Sequence, residues 1–167
     1  MTRLLQSILP RWPLWALLAA LAMLGVAHGF ETFKHLSPCE LCLKQRDAYW
    51  AAIGIAAVGV ILSFTPVKAR GLICLLLAGA FLWGGGEAVY QAGAEWKFWP
   101  GPAACSGGAL SVSLAEISKL LHGGAHQVVR CDQAAWVFLG LSMAGWNALV
   151  STVLAGLSVA AVRSPAP

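Results

Sequence analysis

Charge is what this sequence has least of. Asp, Glu, Lys and Arg make up 11% of its 167 residues, while 59% are hydrophobic; a soluble domain of this length carries about 25% charged residues. That shortage excludes an ordinary soluble globular domain. A basic patch interleaved with exposed aromatics is also missing, so the formal net charge of +4 does not mark a nucleic-acid binder, and no nucleic-acid partner is expected. Nor is there room for a separate soluble domain between the apolar runs, so residues 1–167 are read as one membrane domain.

What is there is a set of runs almost free of charge. Trp12 to Phe30 holds no Asp, Glu, Lys or Arg over 19 residues, Ala48 to Val67 none over 20 and Gln133 to Val162 none over 30; Gly71 to Ala94 holds one acid, Glu87, in 24. About 20 apolar residues cross a hydrocarbon core as a helix. Four spans are therefore expected, near 13–33, 46–64, 71–91 and 136–160, with loops at about 34–45 and 92–135. Arg3 and Arg11 before an apolar run resemble a signal peptide, with residues 27–29 as a weak cleavage site, but the length of the run and the spans that follow favour a retained first helix.

Four spans put both termini on one side, with Arg3, Arg11, Lys68, Arg70 and Arg163 and no acid. The other side holds six Lys or Arg and all seven acids. The raw basic count does not choose between orientations. The short basic turn at 65–70 and the basic N-terminus favour cytoplasmic termini. Trp12 and Trp15 are expected at the inner interface and Trp96, Trp99 and Trp136 at the outer one.

Four of the five cysteines then share one compartment: Cys39 and Cys42 between spans 1 and 2, Cys105 and Cys131 between spans 3 and 4. Cys74 falls inside span 3 and reads as a buried, inert small hydrophobe. An even number of thiols facing an oxidising space suggests disulfides. Ser37 and Glu40 have capping-box spacing, and Pro38 suits a first helical position, so a helix is expected to start there with Ser37 as its N-cap. Cys39 and Cys42 would lie on one face of its first turns, about 5 Å apart between Cα atoms, which suits a disulfide. The helix N-terminus favours a thiolate, and Arg46, one turn beyond Cys42, adds a fixed positive charge. A redox-active pair, a structural disulfide and half of a zinc site all remain open on the motif alone; the C-x25-C spacing of the other pair suits zinc poorly, and no metal is expected. Arg46 can also simply snorkel to the interface.

The loop after span 3 carries its own signals. The aromatic stretch 95–99 is expected to end the span, and Pro100, Gly101 and Pro102 to break the helix. Leu110, Leu114, Ile117, Leu120 and Leu121 near helical spacing predict a short amphipathic helix lying on the membrane surface.

Four spans, Pro-Cys-x-x-Cys followed by Gln45-Arg46, a second cysteine pair in the 3–4 loop and the stretch CDxxxWxFLGLSMAGWN from Cys131 to Asn147 together resemble the disulfide bond formation protein B (DsbB) family over residues 12 to 160 or so. The resemblance implies an antiparallel four-helix transmembrane bundle, all-α, in a bacterial inner membrane, with cytoplasmic termini and periplasmic redox loops. It implies a thiol:quinone oxidoreductase whose partner is a periplasmic, thioredoxin-fold oxidase of the DsbA type. That partner would attack a Cys105–Cys131 disulfide, with Cys105 forming the mixed disulfide. Cys39–Cys42 would reoxidise the loop pair, and Cys42, as thiolate, would pass electrons to bound ubiquinone or menaquinone beside Arg46. A Cys39–Cys105 cross-pair during turnover stays open. Some family members carry a histidine just past span 3, where this chain has Gly93 or a neighbour, so no quinone role is carried to that point.

Other residues are weaker candidates. Gly84, Gly85 and Gly86 can admit a flat ring but suit helix packing better. Glu87, an acid within a span, is a candidate proton acceptor or a partner of Tyr90 or Gln91. His28 reads as a packing residue, His35 has no fixed role, and His122 and His126 read as loop residues. Two rival functions are a quinone reductase similar to the vitamin K epoxide reductase family, whose CxxC lies late in the bundle rather than at the start of span 2, and a non-enzymatic four-helix protein braced by structural disulfides.

Overall fold

The computed structural model describes residues 7–35, 38–66, 69–102 and 131–164. Cys105, the expected amphipathic helix, His122, His126 and Ser37 lie outside the described residues. Four long helices carry the fold: α1 (Trp12–Lys34), α2 (Glu40–Leu62), α3 (Arg70–Glu95) and α4 (Met143–Val162), with a 3-10 turn at Leu9–Arg11 and two short strands, β1 (Val137–Phe138) and β2 (Leu141–Ser142), before α4. The helix α3 packs most extensively on α4 and then on α2, while α1 lies on α2.

The interior is made of small residues. Ala16, Ala20, Ala52, Ala56 and Ala155 are buried, while Leu18, Leu72, Leu82, Val89 and Val153 point outward. In water that surface would be an apolar patch far too large for a monomer; in lipid it is ordinary, because helices there associate through close packing of small side chains. Glycine serves this at Gly84, where a Cβ would stand 2.9 Å from that of Ala48, and at Gly85, where it would stand 3.2 Å from that of Ser151. Gly84 and Gly85 are thus a packing surface against α2 and α4, whereas Gly86 faces open space. Helix α1 with its 3-10 lead, α3 and α4 are long and apolar enough to cross a membrane. The second expected span is different in kind: α2 matches α1 in length, 23 residues, but Glu40, Lys44, Arg46 and Asp47 crowd its first two turns.

Several boundaries differ from expectation for local reasons. The helix α2 is capped by Cys39, not Ser37: Cys39 is extended (φ −78°, ψ 169°) and its Sγ accepts from the Cys42 N–H. Glu40 then stands at the first helical position, 3.5 Å from Lys44. The helix α3 runs to Glu95 and stops before the prolines. Lys97 adopts φ 64°, the Phe98 N–H donates to Gly93 O at 2.9 Å and the Lys97 N–H to Ala94 O at 3.1 Å; this Schellman closure ends the helix without help from Pro100. The fourth span begins at Met143 rather than 136. Residues 137–142 form a tight antiparallel hairpin pairing Val137 with Ser142 and Phe138 with Leu141. Both turn residues, Leu139 (φ 51°) and Gly140 (φ 80°), have positive φ, as a two-residue type I′ hairpin turn requires. Ser142 then caps α4 by accepting from the Gly145 N–H at 3.1 Å. His35 ends α1 at φ 52°, and His28 bonds back to Leu24 O within α1 at 2.8 Å. Trp12, at the start of α1, is buried, and its Nε1 donates to Ser158 Oγ at 2.8 Å across the bundle.

Candidate redox site

The N-terminus of α2 places Cys39 and Cys42 with their sulfurs 2.7 Å apart. Cys39 is buried, Cys42 is half-buried, and both carry free thiols. One proton serves the two. The Cys42 thiol is lowered to about 6, first by the hydrogen bond it accepts from Cys39, then by the Cys39 backbone N–H, the Gln91 side chain and the Arg46 charge, against the opposing effect of burial. The hydrogen bond that favours Cys42 as thiolate, together with burial, pushes the Cys39 thiol far up. Of the reduced pair, Cys42 is therefore the sulfur whose surroundings favour the thiolate.

Arg46 is held rather than free. Its Nη1 donates to Glu31 Oε2 at 2.7 Å and its Nη2 to Ala27 O at 3.4 Å, so α1 fixes the guanidinium one turn from Cys42. Cys131 is fully buried and disulfide-bonded, its partner lying outside the described residues. It sits in one small cluster with Cys39 and Leu41, against which Cys42 packs. Lys97 anchors this segment, donating from Nζ to Asp132 O at 2.8 Å, with Asp132 Oδ2 at 3.4 Å. The structure thus gathers Cys39, Cys42, Arg46 and Cys131.

Beside Cys42 lies a cavity of about 380 Å3 between the four helices and the hairpin, a size usual for small-molecule sites. Cys42 lines it and Cys39 does not. Aromatic rings form one wall: Phe30 and Trp136 centroids are 5.1 Å apart, Trp136 and Phe138 stack at 5.6 Å, and Phe138 leads on to Trp146 at 6.3 Å. Trp136, expected merely at the interface, belongs to this wall. The opposite wall is polar. The Tyr49 hydroxyl donates to Asn147 Oδ1 at 2.6 Å, Asn147 Nδ2 to Gln45 Oε1 at 2.5 Å and Gln45 Nε2 to Gln91 Oε1 at 2.8 Å. Gln91 Nε2 then donates to Glu95 Oε1 at 3.1 Å and to Cys42 Sγ at 3.7 Å. Every donor in this chain points the same way, so the bonds polarise one another toward Cys42 and Glu95.

Motif and spacing point to Gln45 only as the neighbour of Arg46 and do not point to the polar chain of Tyr49, Gln91, Glu95 and Asn147. The signal available for three of them was a polar side chain inside or at the end of an apolar run. Glu87 lines a shallow surface recess with Leu82, Trp83 and Tyr90 instead of the cavity. Gln91 serves Gln45, Glu95 and the thiols, and the Tyr90 hydroxyl reaches Pro100 O at 3.5 Å. Gly93 is covered by the Trp99 ring, whose Nε1 donates to Tyr90 O at 2.9 Å.

A membrane protein with an activated dithiol beside an apolar cavity has the equipment of a thiol oxidoreductase. Residues 10–161 match the family model described as "Disulfide bond formation protein DsbB". The chain is 32% identical to disulfide bond formation protein B of Dechloromonas aromatica (strain RCB), over 80% of this chain and 79% of that protein. It is 30% identical to the protein of the same name from Escherichia coli (strain K12), over 87% of this chain and 81% of the relative. No solved structure matches it. The chain belongs to the DsbB family, and it is a disulfide-generating membrane oxidoreductase that reoxidises a DsbA-type oxidase, with quinone transfer as the family role.

Proposed function

We propose that this chain is a four-span thiol:quinone oxidoreductase of a bacterial inner membrane, with cytoplasmic termini and periplasmic redox loops. In this reading α2 spans with the other three helices as an antiparallel bundle, its apolar part following Asp47, and residues 110–121 lie on the outer surface. The observation that carries the reading is the position of the pair: Cys39 packs on buried Cys131, while Cys42 alone faces the cavity.

That position suits a two-stage relay. A reduced DsbA-like oxidase attacks the Cys105–Cys131 disulfide, with Cys105 forming the mixed disulfide, and leaves the loop pair as dithiol. The Cys39–Cys42 disulfide reoxidises that dithiol by exchange, the better leaving group being Cys42, whose thiolate is the more stable of the two. Cys42 then stands as thiolate at the cavity wall. The residues present fit a quinone: aromatic rings on one side for a flat head group, Arg46 and the amides of Gln45 and Asn147 for its oxygens. Bound there, ubiquinone or menaquinone supplies an acceptor for two electrons and two protons. Arg46, held by Glu31, offsets negative charge on Cys42, and the apolar wall excludes water.

An anaerobic assay tests this. Purified protein, a reduced DsbA-like oxidase and a short-chain quinone should give catalytic loss of quinone absorbance that Cys42→Ser abolishes while the protein stays folded. No quinone loss with either quinone type, in well-folded wild-type protein, would leave the cysteines as braces.

A further inference from the structure

Glu95 ends α3 and shares the cavity with one other acid, Glu31. Glu31 is engaged by Arg46 at 2.7 Å. Among the described residues, Glu95 has no cation within ion-pair distance. Its Oε1 accepts from Gln91 Nε2 at 3.1 Å, and its Oε2 is buried with no hydrogen-bond partner among the described residues. The titratable and charged groups facing the same cavity are Cys42, Arg46 and Tyr49 from α2 and Glu31 from α1; the Ser142 hydroxyl stands beside the carboxyl group from the hairpin.

The Gln91 amide nitrogen carries two hydrogens. One points to Glu95 Oε1 and the other to Cys42 Sγ, 3.7 Å away. Burial makes the carboxylate costly, although the Ser142 hydroxyl and the Gln91 amide favour it, and a second negative charge across one amide from a thiolate adds to that cost. The same NH2 group stabilises an anion on either side. The two sites together therefore favour one negative charge, not two.

We propose that Glu95 is a further catalytic residue of the acceptor site, carrying a proton while Cys42 is a thiolate and ionised once Cys39 and Cys42 are joined. This deepens the function proposed above and rests on the cavity being the quinone site. The step balances. Cys39–SH and Cys42–S⁻ form the S–S bond and release two electrons and the Cys39 proton. Reduction of a quinone to quinol consumes those two electrons and two protons; Cys39 gives one proton and Glu95 the other. The negative charge thereby passes from Cys42 to Glu95, and Gln91 stays hydrogen-bonded at both ends. Glu95 recovers its proton from the aqueous side, where α3 ends. Glu87, the acid that the sequence singled out for this task, faces away from the cavity.

Two readouts test this. In full-length protein stripped of quinone, infrared difference spectra between the dithiol and disulfide forms of the Cys39–Cys42 pair should show a carboxylic-acid C=O band in the reduced form only. Glu95→Gln should remove it, and Glu95→Asp should keep it at a shifted position. A band that survives Glu95→Gln, or no redox-linked band in wild type, overturns the proposal. In single turnovers with a short-chain quinone, Glu95→Gln should slow oxidation of the pre-reduced protein about 100-fold, as loss of a general acid does. The quinone saturation midpoint should hold, Glu95→Asp should recover part of the rate, and Glu87→Gln should leave it unchanged. An unaltered rate in Glu95→Gln overturns the proposal. Wild-type protein that reduces no quinone would overturn the underlying function instead; the two failures are distinguishable because the infrared signal requires no quinone.

Discussion

At one end of α3, Arg70 donates to Leu9 O at 2.6 Å, to Ser164 O at 2.7 Å and to Ser164 Oγ at 2.7 Å. At the other end of the bundle, Arg46 meets a carboxylate, Glu31, and faces a cavity. The first arginine ties the lead of α1 to the residues after α4, and among the described residues it has no acid within ion-pair distance. The second holds a positive charge beside a sulfur whose ionisation matters. The cysteines divide the same way. Cys74, one turn into α3 from Arg70, is fully buried in the main apolar core. Cys42 sits in the first turn of α2, against a thiol donor, an amide and a guanidinium. Buried polar groups at the Arg70 end close the structure, whereas those at the Cys42 end leave a charge that can move. Only at Cys42 among the described thiols do backbone donors, a proton-sharing neighbour and an opening coincide.

Removing Arg46 should break this contrast most. Alkylation of Cys42 in the reduced wild-type protein should be half-maximal near pH 6, falling as pH drops through that value because the thiolate is protonated; an ordinary thiol would titrate near 9. In Arg46→Met that midpoint should rise only slightly, because the hydrogen bond from Cys39, the largest cause of the lowering, remains, while quinone-dependent turnover should fall at least about 10-fold, corresponding to about 1.4 kcal/mol, with little change in thermal stability. Turnover equal to wild type would remove Arg46 from the site. A smaller effect, on the other axis, is expected from Ser158→Ala. It removes the acceptor of the buried Trp12 Nε1–H bond and should cost about 1–3 kcal/mol of stability, measured by thermal unfolding in detergent, with the Cys42 alkylation profile unmoved. Smallest of all is Cys74→Ala. Turnover should be indistinguishable from wild type; a large loss would mean that the working thiols include Cys74 and that the two ends are not separate.

Length and apolarity made long helices legible near the four apolar runs, because a helix in lipid must satisfy its own backbone and so reads as a long uncharged run, although α2 begins at Glu40 rather than 46 and α4 at Met143 rather than 136. The misses came where local geometry overrode pattern. Cys39 took the cap expected of Ser37 because its backbone is extended and its sulfur accepts the Cys42 N–H. The run from Gln133 looked continuous to 162, yet its first part folds as a hairpin, since Leu139 and Gly140 both turn to positive φ. Trp12 also packs into the core, a contact that its residue type does not foretell, because a partner for its indole N–H waits on α4.

By itself the sequence determined the solvent of this protein and the family to which the chain belongs; these depend on residue type and order, which no folding is needed to read. Only the tertiary structure decided which sulfur faces the cavity, that Cys131 packs on Cys39, and that Gln91 bridges Cys42 and Glu95. Those facts join residues about 50 to 90 positions apart, and hydrogen bonds and ionisation respond to distances of a few ångströms that neither spacing nor composition encodes.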